Sequence, residues 1–136
     1  MTKEERYKIL DAFGEIVTKN VRDRVFKEFL WDLEGASPDK SSLKQHHVLK
    51  KFSPEEQGQI KNIVLDTIDA TIHYFFWMIE QHNLPPIEMD LTWKTSEEQL
   101  SLRDLSDGLY GEAYGEEGWT AQFSDYPQAF PEEEPK

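Results

Sequence analysis

The side chains best spaced for chemistry fall between residues 62 and 80. On a helix, Asn62, Asp66, Asp69, His73 and Glu80 project within about 60° of one another. Asp69 and His73 stand four residues apart, as neighbours on a helix surface do. Two carboxylates and an imidazole so arranged have the donors for a divalent metal or for general acid–base work. Asp66, Asp69 and His73 are therefore the candidate ligands of a small metal-dependent enzyme or metal-binding helical bundle. One helix fills only part of a coordination sphere, and no other helical stretch carries a Glu-x-x-His pattern. A second copy brought in by dimer symmetry would have to complete the set. The same stripe lies opposite the helix's apolar side, where an ordinary solvated face is polar. That favours a surface stripe, with no metal and no cofactor.

The other polar motifs carry less. His46 and His47 point about 100° apart on a helix and have Lys44, Lys50 and Lys51 nearby, which suits surface or loop packing. His82 falls at a helix end, where an imidazole pairs with the last carbonyls. No Gly-x-Ser-x-Gly, Gly-x-Gly-x-x-Gly or Walker sequence occurs. The glycines at 108, 111, 115 and 118 alternate with acids, which repel phosphate. The chain has no cysteine, excluding disulfides, thiolate metal sites and a thiol nucleophile.

Tyr110, Glu112, Tyr114, Glu116 and Trp119 make a different kind of candidate. Aromatic rings among carboxylates suit a basic, partly apolar protein surface. The net charge of −12 is concentrated there: residues 1–79 balance to −1, whereas residues 80–136 carry −11. Such a chain is repelled by nucleic acid and by anionic membranes, so a charge-selected partner is a basic protein.

Local signals outline the elements that must position these groups. Thr2 with Glu5 forms a capping box before Ile9, Leu10, Phe13, Ile16 and Val17. A second apolar set, Val21, Val25, Phe26, Phe29, Leu30 and Leu33, centres nearly opposite the first. Two helices follow, about 3–18 and 21–34, with a break or kink at Thr18–Asn20 and Asn20 as a cap. Gly35 ends the second, and a short helix spans 43–51. Ser53-Pro54-Glu55-Glu56 opens a long helix to about Gln81, with Ile60, Ile63, Val64, Ile68, Thr71, Ile72, Phe75 and Ile79 as its apolar face. The Tyr74–Ile79 stretch is apolar almost all round, which places it in the core or under a partner such as a second copy. Pro85 and Pro86 stop the helix. Alternation over Ile87–Lys94 predicts a half-buried strand, and Trp119, Ala121 and Phe123 a second one. Leu100 and Leu102 fit either a strand or a helix capped near Ser96 or Ser101.

These readings predict an α-dominant α+β domain over residues 1–126, with three to four helices and a small β element in its C-terminal half. Residues 127–136, with three prolines and three consecutive glutamates, read as a disordered acidic tail. The charged start and a longest apolar run of six residues, Tyr74–Ile79, predict no membrane span and a cytoplasmic location. The functional expectation is a non-enzymatic protein–protein interaction module that neutralises or regulates a basic partner. Immunity and antitoxin proteins share this composition, and the likeness is one of composition alone.

Overall fold

The computed structural model describes residues 1–37 and 39–127; the expected tail beyond 127 lies outside them. The chain is an α-dominant α+β fold. Helix α1 (Lys3–Val17) continues through a π-helical segment, Thr18–Arg22, into α2 (Asp23–Glu34), and α3 (Lys40–Leu49) and α4 (Pro54–Gln81) follow. Strands β1 (Asn83–Leu84) and β2 (Ile87–Glu88) form one antiparallel hairpin, and β3 (Thr92–Lys94) and β4 (Gln99–Ser101) another. Short helices α5 (Leu102–Leu105) and α6 (Trp119–Phe123) flank a 3-10 turn at Leu109–Gly111. Among the described residues, no helix is long and apolar enough to cross a membrane.

The helix starts form as their sequences dictate. Thr2 and Glu5 exchange hydrogen bonds of 3.1 and 2.7 Å, and Ser53 and Glu56 bonds of 3.1 and 2.9 Å, satisfying amides that lack helical partners. The backbone N–H donated by Thr2 or Ser53 holds each glutamate below the usual carboxylate range. Gly35 adopts φ 72°, and the His46 ring donates from Nδ1 to the Asp32 and Leu33 carbonyls at 3.1 Å, so His46 seals the end of α2 against α3. His82 closes α4 on the Met78 carbonyl at 2.9 Å.

Residues 18–20 neither break nor cap. The rod stays continuous, and Asn20 turns its side-chain amide back to the Ile16 carbonyl at 3.0 Å. A π turn holds more residues than an α turn and rotates everything downstream. It thereby takes up part of the phase difference between the two apolar sets. The rod runs antiparallel to α4: Leu10 and Phe13 pack near Phe76, and Phe26 packs on Leu65 and Ile68.

The buried face of α4 overlaps the expected one but is rotated from it: Ile68 and Ile79 are buried and Ile60, Val64 and Ile72 half-buried as expected, whereas Ile63, Thr71 and Phe75 are exposed. Leu65, Ile68, Phe76 and Ile79 are buried with Asp69 and His73 half-buried beside them, while Ile63 and Phe75 face out. Two polar anchors impose this rotation. The Arg22 guanidinium, 2 % exposed, meets Asp69 through Nε–Oδ1 at 2.6 Å and Nη2–Oδ2 at 3.3 Å. His73 donates from Nδ1 to the Tyr110 carbonyl at 3.0 Å.

The expected strand over 87–94 splits in two. Asp90 Oδ1 accepts from its neighbour Leu91 N–H at 2.8 Å and from Ser101 Oγ at 2.9 Å, while Arg103 ties the Met89 carbonyl to the end of α4. The residues left open between strand and helix do both, with Leu100 in β4 and Leu102 in α5. Trp119–Phe123 is a helix, not a strand. Trp119 and Phe123 are four apart and share one helical side, with Ala121 exposed on the other, so the two bulky positions of the alternation fit a helix as well as a strand.

Trp119 is the centre of the larger core. Its ring meets Phe13 and Phe76 edge-on at 5.8 and 6.2 Å, among Leu10, Leu102, Leu105 and Leu109. The indole lies directly on Gly14 of α1, where a Cβ would overlap the ring. Gly58 of α4 has open space around the same position. Gly14→Ala should therefore lower stability by about 1–3 kcal/mol through overpacking, while Gly58→Ala should raise it by about 0.5–1 kcal/mol through helix propensity. Urea unfolding of the two variants checks this, and effects of the same sign would contradict the docking of Trp119 on Gly14.

Candidate functional site

The acidic, aromatic segment after Pro86 is fixed to the helices at three points, and this decides which of its side chains face solvent. The first is the 3-10 turn. Tyr110 N–H donates to Glu80 Oε1 at 3.3 Å, its carbonyl accepts from His73, and its ring stands edge-on to the imidazole at 5.4 Å. The second is Trp119, whose backbone N–H donates to the Glu112 carbonyl at 3.0 Å while its indole fills the core. The third is the end of the segment. Arg22 Nη1 donates to Ser124 Oγ at 2.8 Å and to the Tyr126 carbonyl at 2.7 Å, and Asp23 accepts from Ser124 Oγ at 2.6 Å and Asp125 N–H at 2.8 Å.

Between the first two points the chain folds over itself as a tight loop. Gly115 adopts φ 90°, in the left-handed region that favours glycine. Gly118 donates to the Gly115 carbonyl at 3.2 Å, and a Cβ at Gly118 would strike the Tyr114 carbonyl. The glycines spaced through the acidic run thus shape a compact loop, and the acids between them are left outside.

This loop and the first turns of α1 enclose an open cleft of about 620 Å³. Asp11 enters from α1 and Glu112, Glu116 and Glu117 from the loop, four carboxylates against the single ammonium of Lys3. Lys3 Nζ lies 5.8 Å from the centre of the Tyr7 ring. A second recess of about 540 Å³ shares Tyr7, Glu112, Glu116 and Glu117 and extends to Tyr114. Tyr7 and Tyr114 are both about half exposed. Glu116 and Glu117 are exposed and Asp11 and Glu112 half-buried; Glu112 also accepts from Ser106 Oγ at 2.5 Å, so it braces the loop.

Of the residues singled out for partner binding, Glu112, Tyr114 and Glu116 line this cleft system. Tyr110 is half-buried against α4. Trp119 also lines the first cleft, but at 2 % exposure most of its indole is a core group packed on Gly14 rather than the surface anchor expected. Tyr7 and Asp11 were not legible as site residues, since about a hundred positions separate them from the loop and only the docking of Trp119 on α1 brings them together.

The alternative metal trio is drawn apart by its own contacts. Asp69 is held by Arg22, His73 by the Tyr110 carbonyl, and Asp66 is exposed. Among the described residues, no three histidine or acidic side chains are grouped to hold a metal ion. No protein-family model, curated protein or solved structure matched the chain in comparisons with known proteins.

Tyr114 carries the one shifted group beside the cleft. Partial burial pushes its phenol above the usual tyrosine range, and the carboxylates of Asp69 and Asp66 add to the effect. The folded chain holds this proton more tightly than the unfolded chain. The stabilisation is therefore full below the ordinary phenol value and is lost as pH rises through the raised one. In an ultraviolet alkaline titration Tyr114→Phe should remove a late-ionising phenol; a wild type whose tyrosines all ionise together at the ordinary value would contradict this environment.

Proposed function

We propose that this protein is a non-enzymatic interaction module that receives a basic segment of another protein in the cleft between α1 and the 108–118 loop. The observation that carries this reading is the meeting of Asp11 with Glu112, Glu116 and Glu117 in one open cleft beside the half-exposed Tyr7, with the half-exposed Tyr114 on the adjoining recess. Carboxylates set in a concave surface focus a negative potential and speed the arrival of a cation. Tyrosine rings then offer apolar area and a π face to a lysine or arginine stem. The absence of cysteine and the high acidity fit such a protein in a reducing compartment, and we place it in the cytoplasm.

The division of labour between charge and ring gives the test. Glu116 and Glu117 are exposed, so reversing them leaves the loop intact, unlike Glu112. Binding of an unstructured peptide of alternating arginine and tryptophan is followed by stopped flow at low and high salt. Glu116→Lys with Glu117→Lys should slow association by roughly tenfold at low salt and flatten its salt dependence. Tyr7→Ala with Tyr114→Ala should mainly speed dissociation. Association indifferent to salt and to both charge reversals would reduce the acidic half to a solubilising surface.

A further inference from the structure

The outward side of α4 is largely apolar from Ile63 to Met78, and it is exposed among the described residues. Ile63, Thr67, Ala70, Tyr74 and Trp77 follow one another at spacings of four, three, four and three, the seam on which two helices pack. Thr67 and Ala70 are exposed, as are Ile63 at 63 %, Tyr74 at 63 % and Trp77 at 44 %. Thr71, Phe75 and Met78 widen the strip on one flank, with Phe75 53 % and Met78 36 % exposed. In a chain of net charge −12, the exposed positions from Ile63 to Met78 include one carboxylate, Asp66.

We propose that this face is a self-association surface on which two copies of the chain pair through antiparallel α4 helices. Three features of the face select a second copy. The first is area: from these exposures the strip offers on the order of 700 Å² per copy, close to the roughly 800 Å² per partner of a standard stable interface. The second is shape. A two-fold axis at the level of residue 72 sets Tyr74 against Ala70 of the second copy and Trp77 against Thr67, a large side chain over a small one at four places. The third is charge. A two-fold interface presents each surface to itself, so an acidic protein that self-associates must keep that surface poor in carboxylates, and this one carries Asp66 alone, which the same axis sets against Met78. The cleft of the proposed function does the reverse and lies on other elements, so the two readings stand or fall separately.

The chain has no cysteine, so one introduced thiol gives a unique spin-label site. Sedimentation equilibrium of the full chain at tens of micromolar should return twice the 16.0 kDa chain mass. Ala70→Glu, at an exposed position in the middle of the strip, should return the monomer mass with an unchanged circular dichroism spectrum; Tyr74→Glu serves as the second variant. With Glu55→Cys labelled, the antiparallel arrangement places the two labels about 50 Å apart along the helix axes, whereas a parallel pair would hold them within about 15 Å. A monomer at all concentrations, a dimer that survives both glutamate substitutions, or a short label distance would each overturn the proposal. A cleft variant, Glu116→Lys with Glu117→Lys, should leave the dimer mass unchanged.

Discussion

The guanidinium of Arg22 is where three parts of the chain are joined. It lies at the end of the π segment and reaches Asp69 in the middle of α4 and Ser124 and Tyr126 at the end of the C-terminal segment. Asp23, the next residue, takes the remaining polar hydrogens of that end. Burying a guanidinium costs several kcal/mol unless its donors are met, and here Nε, Nη1 and Nη2 all find acceptors. The two apolar clusters lie on either side of this network, with Ile72 of α4 touching both. The network fixes how they are placed relative to each other, since apolar contact alone is not directional.

The surface follows from that choice. With Asp69 drawn inward to Arg22 and His73 to Tyr110, α4 turns its Leu65–Ile68–Phe76–Ile79 side into the core and leaves Ile63, Tyr74 and Trp77 outside. With Ser124 and Tyr126 held at one end and Tyr110 at the other, the segment between them lies across α1 and places Trp119 on Gly14. The acids of the 112–117 loop then come to face Asp11. An acidic cleft on one side and an apolar strip on another are thus two consequences of one buried ion-pair network.

Much of the framework was legible because its signals are local. The capping boxes at Thr2 and Ser53, the glycine end of α2 and the proline stop of α4 each involve residues within a few positions, and the fold class follows from them. What escaped depends on partners far along the chain. A carboxylate and an imidazole on one helix face look like solvent-facing residues when the arginine and the carbonyl that claim them are 47 and 37 positions away. Asn20 has the chemistry of a cap, yet the side chain served a carbonyl behind it in a continuous rod. Trp119 looked like an anchor for a partner because nothing near it announces that Gly14 has left space for an indole.

The account rests on the claim that Arg22 holds the C-terminal segment to the helices, and amide hydrogen exchange of an Arg22→Met variant tests it most directly. Removing the guanidinium leaves Asp23 and Asp69 without their cation, a loss of about 3–5 kcal/mol for a buried pair. Protection should fall most over residues 109–126, which would then exchange by local opening, and less over Leu65–Ile79 of α4, whose apolar contacts remain. An equal loss of protection along the whole chain, or none over 109–126, would contradict the claim.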